Sequence, residues 1–273
     1  MPERLRVAAV ACPAPVGALE DNLAAAADYA AAAALGHADL LLFPELSLTG
    51  YATGGPAPAP LGPGHPACRR LQELAAANAL TIAAGMAWQD EPAGPRYLAH
   101  GLWLPDGKQH IYRKTHLGQR EQGDYAAGGE LPVFSLPKAT VGLQLCLEQH
   151  FPDITQTLAL KGAQLVLCPH ATPRLGPAER RESWHISLRA RAYDNCVFIL
   201  AANQAGDNGQ GTIYHGGAIL IDPAGRVLAE NFSGQPAMIT ATIDLRQVAG
   251  VRTTPQGMCR RFYARQRRPE LYL

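Results

Sequence analysis

The sequence has no long apolar run and no excess of charge of either sign. The N-terminal apolar stretch, residues 7–12, is too short for the core of a signal peptide and ends at Pro13. No apolar run approaches the ~20 residues that a membrane-spanning helix needs. A formal net charge of +1 over 273 residues offers little attraction for nucleic acid or an anionic membrane. We therefore expect a cytoplasmic protein whose partners are neither nucleic acids nor membranes.

Paired cysteines, metal-binding motifs and nucleotide-binding loops are missing as well. The six cysteines, at positions 12, 68, 146, 168, 196 and 259, form no CxxC pair, which favours free thiols in a reducing compartment. His116, His150 and His170 show no metal-ligand spacing such as HExxH. The Gly-Gly pairs at 128–129 and 216–217 belong to no GxGxxG or Walker motif. We expect neither a metal nor a cofactor.

The sequence does contain a regular alternation of short apolar runs and helical stretches, with hydrophobic residues making up 47% of the chain. This alternation is typical of βαβ units and predicts an α/β fold. Because no linker or shift of composition divides the chain, we expect one domain, residues 1–273. Strands are predicted at residues 5–11, 38–43, 80–87, 98–104, 109–113, 165–168, 197–202, 217–221 and 238–243, and helices at 19–35, 66–78, 153–161 and 178–194.

Three reactive side chains follow apolar runs directly. Cys146 follows residues 141–145, while Glu45 and Lys114 come at the ends of two earlier strand-like runs. Enzymes of the α/β class place nucleophiles and their partners at such strand ends. Each residue alone has a structural explanation, as a core cysteine, a capping carboxylate or a solvated lysine. The three together, each in its characteristic local sequence, favour a catalytic role.

The segments around these residues resemble the nitrilase superfamily of carbon–nitrogen hydrolases, in particular its amidase-like branch. The similar segments are residues 43–51 (FPELSLTGY), 112–117 (YRKTHL), 142–146 (GLQLC), 151–153 (FPD), 188–195, 202–204 and 267–272. The resemblance covers nearly the whole chain and implies a four-layer α-β-β-α sandwich. It also implies a homodimer or higher homo-oligomer, in which the tail, residues 257–273, forms a contact between subunits.

The resemblance further implies a Glu-Lys-Cys triad. Cys146 would attack an amide carbonyl and form a thioester, while Glu45 moves the thiol proton to the departing ammonia and then activates water. The Lys114 ammonium and the backbone N–H of Leu147 would stabilise the oxyanion. Glu121, seven residues after Lys114, is the candidate for the second carboxylate that family members often carry near this lysine.

The candidate substrate contacts are Tyr51, Leu147, Glu148, His170 and Asn203. Glu148 lies two residues beyond the nucleophile and is expected to line the pocket, with a salt bridge at the rim as the equal alternative. Asn203 follows an apolar strand and either faces the site or forms a turn. The alternative for His170 is a structural histidine.

The residues after the cysteine favour a small amide or carbamoyl compound as substrate over a nitrile. True nitrilases of the superfamily usually carry Trp and then Glu after the cysteine, whereas this chain has Leu147 before Glu148. The patterns of carbamoylases and ω-amidases, with Asp at the position of Glu148, are not matched either. Two alternatives stay open: a nitrilase that uses the same triad through a thioimidate, and a non-catalytic binding protein on the same fold.

Overall fold

The computed structural model describes residues 4–52, 56–253 and 262–271, which form two six-stranded sheets flanked by helices. In chain order the elements are β1 (Arg4–Ala11), α1 (Leu19–Leu35), β2 (Leu40–Leu42), α2 (Pro66–Ala77), β3 (Thr81–Gln89), β4 (Arg96–Trp103), β5 (Gln109–Arg113), β6 (Val133–Ser135), β7 (Thr140–Leu143), α3 (Pro152–Leu160), β8 (Leu165–His170), α4 (Pro177–Asn195), β9 (Phe198–Asn203), β10 (Ala205–Asp207), β11 (Ile213–His215), β12 (Ala218–Ile221), β13 (Val227–Asn231), β14 (Ala237–Asp244) and α5 (Arg246–Thr253). Short 3-10 helices span Cys146–His150, Tyr263–Gln266 and Pro269–Leu271.

The first sheet has the strand order β14-β1-β2-β3-β4-β5. Its central strands β1, β2 and β3 are parallel, and the outer strands pair antiparallel to them or to each other. The three residues of β2 are all buried leucines, as expected for a strand covered on both faces. The carboxyl ends of the parallel strands lie at one edge of the sheet, and Glu45 lies at that edge because it follows the end of β2.

The second sheet has the strand order β13-β12-β9-β8-β7-β6, and β7, β8 and β9 are parallel. The carboxyl ends of these three strands lie at one edge of the sheet. Cys146 comes three residues after the end of β7, Thr172 comes two residues after the end of β8, and Asn203 is the last residue of β9. The parallel register therefore gathers these three side chains at that edge.

The two sheets and four of the helices form four layers. An apolar cluster that includes Leu42 of β2 and Leu167 of β8 fills the space between the sheets. A second cluster packs α1 and α2 on the outer face of the first sheet, and a third packs α3 and α4, including Trp184, on the outer face of the second. Residues alternate between the inner and outer clusters along β8 and β9, as the period of a strand requires. The predicted α-β-β-α sandwich is confirmed.

The four predicted helices agree with α1 to α4 within one residue at each end. Alanine, which has the highest helix propensity, dominates α1, and Pro66 and Pro177 start α2 and α4 with a backbone angle suited to a first turn. The short strands β6, β10, β11 and β13 and the helix α5 were not predicted. Strands of three residues, such as β6, β10 and β11, are too short to show an alternating pattern.

The described part of the tail packs on its own chain. Phe262 and Ala264 join the apolar cluster beneath α3 and α4 and are 8% and 4% exposed. Residues 257–261 and 272–273, which belong to the predicted subunit contact, lie outside the described residues. Within the described ranges, no helix has both the length and the apolar character needed to cross a membrane.

Candidate active site

A buried lysine joins two carboxylates at the centre of the site. The Nζ atom of Lys114 donates hydrogen bonds to Glu45 Oε1 at 2.7 Å and to Glu121 Oε1 at 2.9 Å. Lys114 and Glu45 are fully buried, and Glu121 is 5% exposed. Because ionised groups are costly to bury without partners, the loss of Lys114 would leave two buried carboxylates without a counter-ion. The structure thus brings three of the four predicted catalytic residues into direct contact.

The backbone around Glu45 is fixed from both sheets. Leu46 has a φ of +52°, in the left-handed region that residues other than glycine seldom adopt. A Cβ atom on Gly85 of β3 would overlap the backbone nitrogen of Leu46, so the close approach of the two segments requires glycine. From the second sheet, Gln204 Nε2 donates to the carbonyl oxygen of Glu45 at 2.8 Å. Oε2 of Glu45 has no hydrogen-bond partner among the described residues and is free to accept a proton.

Cys146 lies in a strained turn between β7 and the 3-10 helix that it begins. Its φ is +45°, a conformation that costs a residue other than glycine about 1–3 kcal/mol. The other described cysteines are all buried, whereas Cys146 is partly exposed. The backbone N–H of Leu147 lies in the first helical turn and has no backbone acceptor within the described part of the chain. The turn therefore presents a thiol and a free N–H donor side by side.

Thr172 contacts the nucleophile directly. Its Oγ1 lies 3.0 Å from the sulfur of Cys146. The amide of Asn203 holds the backbone of Thr172 on both sides, since Oδ1 accepts from the Thr172 N–H at 2.8 Å and Nδ2 donates to its carbonyl at 3.2 Å. The buried guanidinium of Arg180 donates to the same carbonyl at 2.8 Å. Asn203 and Arg180 therefore act on the cysteine through Thr172.

Burial and neighbouring charges shift the pKa values of the three central groups. Burial raises the pKa of Glu45 to about 7, an effect that Lys114 opposes and Glu121 reinforces. Burial also raises the pKa of the Cys146 thiol to about 11; the Glu45 carboxylate adds to the rise, and Lys114 opposes it. Burial lowers the pKa of Lys114, but neighbouring anionic groups, first among them Glu45, raise it above its ordinary value. At neutral pH the thiol is protonated, and Glu45 is suited to take its proton.

The site opens into a cavity of about 300 Å³, a size that suits a small molecule. Two of the predicted substrate contacts line it, Tyr51 and Leu147. The Tyr51 hydroxyl also donates to Glu121 Oε1 at 3.0 Å. The residues that line the cavity are Tyr51, Lys114, Gly118, Gln119, Arg120, Glu121, Cys146, Leu147, Ala171, Thr172, Pro173 and Arg174.

Glu148 does not line this cavity, and it forms no salt bridge at the rim. Its side chain is fully buried, and Oε1 accepts hydrogen bonds from the Tyr112 hydroxyl at 2.8 Å and from the Thr115 N–H and hydroxyl at 2.7 and 2.6 Å. Oε2 accepts from the backbone N–H of Leu145 at 2.6 Å. Because the chain after Cys146 forms a 3-10 helix rather than an extended loop, Glu148 turns inward and ties the turn of the cysteine to the segment after Lys114.

His170 and Asn203 also lie behind the cavity instead of lining it, and both are fully buried. The ring of His170 packs on Trp184 with 4.7 Å between ring centroids, and its Nδ1 lies 2.8 Å from the carbonyl oxygen of Cys168. Burial lowers the pKa of His170 well below its ordinary value, so the ring is neutral. Within the described residues, no group of three or more His, Cys, Asp or Glu side chains could hold a metal ion.

Sequence reasoning missed Thr172, Arg180, Arg120 and Arg174. Thr172 follows β8 just as Cys146 follows β7, so the rule that finds residues at strand ends could have found it. The three arginines carry no such signal, because their positions depend on how loops and α4 fold over the edge of the sheets.

The comparison with protein families agrees with this site. A family model described as carbon-nitrogen hydrolase matches residues 6–253. The chain belongs to the carbon-nitrogen hydrolase family. The predicted resemblance and enzyme class are thereby confirmed.

Named relatives of this carbon-nitrogen hydrolase include amidases. It is 30% identical over 202 residues to an (R)-stereoselective amidase of Pseudomonas sp., with 74% of this chain and 72% of the relative covered. It is 29% identical over 244 residues to an omega-amidase of Mus musculus, with coverage of 85% and 86%. These relatives fit the predicted preference for an amide over a nitrile.

Solved structures extend the similarity to the whole fold. The amidase from Nesterenkonia sp. AN1, in a mutant form in complex with butyramide, has a TM-score of 0.80 and 26% identity, covering 99% of this chain and 96% of that one. In another structure of that amidase, with the same TM-score of 0.80, the acetamide moiety of fluoroacetamide is added covalently at the active-site cysteine.

Proposed function

We propose that this hydrolase converts the carboxamide of a small molecule to a carboxylic acid and ammonia through a thioester on Cys146. The observation that carries the proposal is the buried ammonium of Lys114, bonded to Glu45 and Glu121 beside a cavity that Cys146 lines. The amidases among the relatives support amide hydrolysis, and the covalent adduct of an acetamide moiety on the active-site cysteine of a similar amidase supports a nucleophilic role for Cys146.

In the first half of the reaction, the Cys146 sulfur bonds to the amide carbon, and Glu45 Oε2 takes the thiol proton. The negative charge that forms on the carbonyl oxygen is stabilised by the Lys114 ammonium and the N–H of Leu147. When the tetrahedral intermediate collapses, its C–N bond breaks and Glu45 returns the proton to the departing nitrogen, which leaves as ammonia. The enzyme now carries an acyl group on sulfur.

In the second half, water replaces the sulfur. Glu45, again ionised, takes a proton from a water molecule that attacks the thioester carbon. The C–S bond then breaks, the thiolate recovers the proton, and the carboxylic acid is released. Because Glu45 serves as base and acid in both halves, a pKa near neutrality suits it better than the ordinary value of a carboxyl group.

Glu121 completes the charge balance of the site. It pairs with Lys114 at 2.9 Å and also accepts hydrogen bonds from Tyr51 and from the backbone N–H of Gly118 at 2.6 Å. These contacts hold the ammonium in place when Glu45 becomes neutral during the reaction. Tyr51 and Leu147 line the cavity and are the proposed substrate contacts.

We also propose a homo-oligomer that uses the tail, residues 257–273, in a compartment that keeps the thiol reduced, such as the cytoplasm. Exposed apolar side chains support the oligomer, including Ile186 on α4, 70% exposed, and Leu271 in the tail, 64% exposed. The test is the mass in solution by light scattering, where a particle of 29.1 kDa would refute the oligomer.

The reaction is tested by ammonia release from small amides, ureido acids and nitriles, beside a Cys146→Ala variant. Turnover of amides that disappears in the variant, together with an acyl adduct on Cys146 detected by mass spectrometry, is the expected result. Turnover of nitriles without turnover of the matching amides would assign the nitrilase reaction instead. No turnover, with a Cys146 thiol no more reactive than the other cysteines, would favour a non-catalytic protein.

A further inference from the structure

Arg180 of α4 is a buried cation without a carboxylate beside it. The residue is 3% exposed and forms no ion pair with any side chain in the described ranges. Its Nη2 donates to the carbonyl oxygen of Thr172 at 2.8 Å, and its guanidinium lies over the ring of Trp184, 5.6 Å from the centroid. Its Nε has no hydrogen-bond partner among the described residues. Because burying an unpaired charge is costly, another group should compensate this one.

Other buried charges of the protein have such compensation. Lys114 pairs with two carboxylates, and Asp222, which is 1% exposed, accepts from Arg226 at 2.8 Å. Glu148 has no cation but accepts hydrogen bonds from several backbone and hydroxyl donors. Arg180 has one carbonyl and the face of one ring, and these contacts offset only part of the cost of its burial.

The anion that can complete this compensation is an ionised Cys146. The carbonyl that Arg180 holds belongs to Thr172, whose hydroxyl lies 3.0 Å from the sulfur. Burial lowers the pKa of Arg180, and the negative charge of an ionised Cys146 opposes this effect. The neighbouring ring of His170 is neutral and offers no counter-charge. The guanidinium therefore lies within the electrostatic reach of the nucleophile.

This counter-charge forms only during the reaction. Because burial raises the pKa of the Cys146 thiol to about 11, the sulfur is neutral at rest and becomes negative when Glu45 takes its proton. The guanidinium is already in place, since an added Cβ on Gly217 would lie 3.3 Å from Cγ of Arg180. A fixed charge that interacts more strongly with the charged state than with the resting state lowers the barrier.

We propose that Arg180 is a positioning residue of the reaction, which holds Thr172 against the sulfur and whose buried charge favours the negative charge that develops at Cys146. Lys114 acts on the same charge from the first sheet, so each side of the sandwich contributes one cation. The inference rests on the proposed function of Cys146 as the nucleophile. Arg180 does not line the cavity and takes no part in bond breaking.

The test is the rate at which iodoacetamide alkylates Cys146, followed by mass spectrometry of the peptide that contains it. Arg180→Gln removes the charge and keeps an N–H donor for the Thr172 carbonyl. We expect alkylation at pH 8 to become about tenfold slower, because the thiolate becomes much rarer and the greater nucleophilicity of each remaining thiolate offsets only part of the loss. Arg180→Lys keeps the charge and should recover most of the rate.

The matched control is Arg252→Gln. Arg252 also donates to a backbone carbonyl and lies over an aromatic ring, but beside the start of β8, at the opposite end of that strand from Thr172. Its replacement should leave the alkylation rate unchanged. If Arg180→Gln does not fold, Arg180→Met takes its place, because an apolar side chain of similar length is often tolerated where a charge was buried.

A double variant separates the charge of Arg180 from its hold on Thr172. If Arg180 acted only by placing the Thr172 hydroxyl, Arg180→Gln would have no further effect in a Thr172→Val background. We expect the tenfold loss to persist there. Disappearance of the loss in that background, or equal losses in Arg180→Gln and Arg180→Lys, would overturn the electrostatic role.

The alkylation needs no substrate, so it separates this inference from the proposed function. Equal alkylation rates in the wild-type protein and in the folded variants without the charge would overturn the inference and leave amide hydrolysis standing. Absence of ammonia release from every amide would refute the proposed function, while the comparison of alkylation rates would still decide whether Arg180 acts on the thiol.

Discussion

The hydroxyl of Thr172 lies 3.0 Å from the sulfur of Cys146 and forms a side-chain hydrogen bond with it. Thr172 lowers the pKa of the thiol, against the larger opposing effect of burial. Its own backbone is fixed by Asn203 of β9 and Arg180 of α4. The direction in which the sulfur points is thus set by three elements of the second sheet and its helix layer.

Replacing Thr172 with valine removes this hydrogen bond and keeps the shape of the side chain. We expect Thr172→Val to lower kcat/KM about tenfold, the scale of one hydrogen bond, and to slow alkylation of Cys146 by iodoacetamide at pH 8. Thr172→Ser keeps the hydroxyl and should recover most of both rates. Unchanged alkylation in the valine variant would show that the contact does not act on the thiol.

The pH dependence of the reaction should report the ionisation of Glu45. Because burial raises the pKa of this carboxyl to about 7, the base is protonated and inactive below that pH and becomes active above it. We expect kcat/KM to rise tenfold per pH unit in the acid range and to level off above about 7. Glu121 reinforces the raised pKa, so Glu121→Gln should move this limb to lower pH even as it reduces the maximum rate. An acid limb of the pH profile centred at the ordinary pKa of a glutamate would contradict the role of Glu45 as the base. Glu91→Gln, which replaces an exposed acid, is the control.

Glu148 should affect the rate without touching the substrate. Glu148→Gln places an amide NH2 among backbone and hydroxyl donors, and the loss of buried hydrogen bonds to a charged group costs about 3 kcal/mol. We expect a lower free energy of unfolding by urea and a lower kcat, with KM nearly unchanged because Glu148 lies behind the cavity. The exposed Glu73→Gln provides the comparison. A rise in KM alone would instead indicate direct substrate contact.

Gly85 should tolerate no side chain. A Cβ atom there would overlap the backbone of Leu46 and push Glu45 away from Lys114. A displacement of about 1 Å can cost about a hundredfold in rate, so we expect Gly85→Ala to lose at least that much in kcat. Gly129→Ala is the matched control, because nothing lies within 4 Å of its added Cβ and its φ is not in the left-handed region. Full activity in Gly85→Ala would show that the turn at Leu46 can shift freely.

The fold could be predicted because its central strands and helices are long enough to leave a periodic signal. Leu165 to Cys168 read as a strand and α1 as a helix from their own residues. The positions of Glu45, Lys114 and Cys146 could be predicted because each follows an apolar run in a characteristic segment. That they meet in one cluster could not be read from periodicity alone.

The direction of side chains near the nucleophile was not predictable. Glu148 was expected to face the pocket, but a 3-10 turn of five residues rotates it into the protein, and no periodic pattern reveals so short an element. The contact of Thr172 with the sulfur of Cys146 and the position of Asn203 behind the cavity were not predictable either. Both depend on hydrogen bonds between residues 31 positions apart, which the parallel pairing of β8 with β9 brings together.

The hydrogen bond from the Gln204 side chain to the backbone carbonyl of Glu45 joins residues 159 positions apart in the chain. It links the two sheets close to the reacting groups. The base and the ammonium are carried by one sheet and the thiol by the other, so neither half alone possesses a reaction centre. A molecule in which the two sheets had separated would keep its strands and helices but would have no catalytic activity. The rate of turnover therefore reports how closely the two sheets pack against each other. It should fall on a small displacement of one sheet that leaves the secondary structure unchanged.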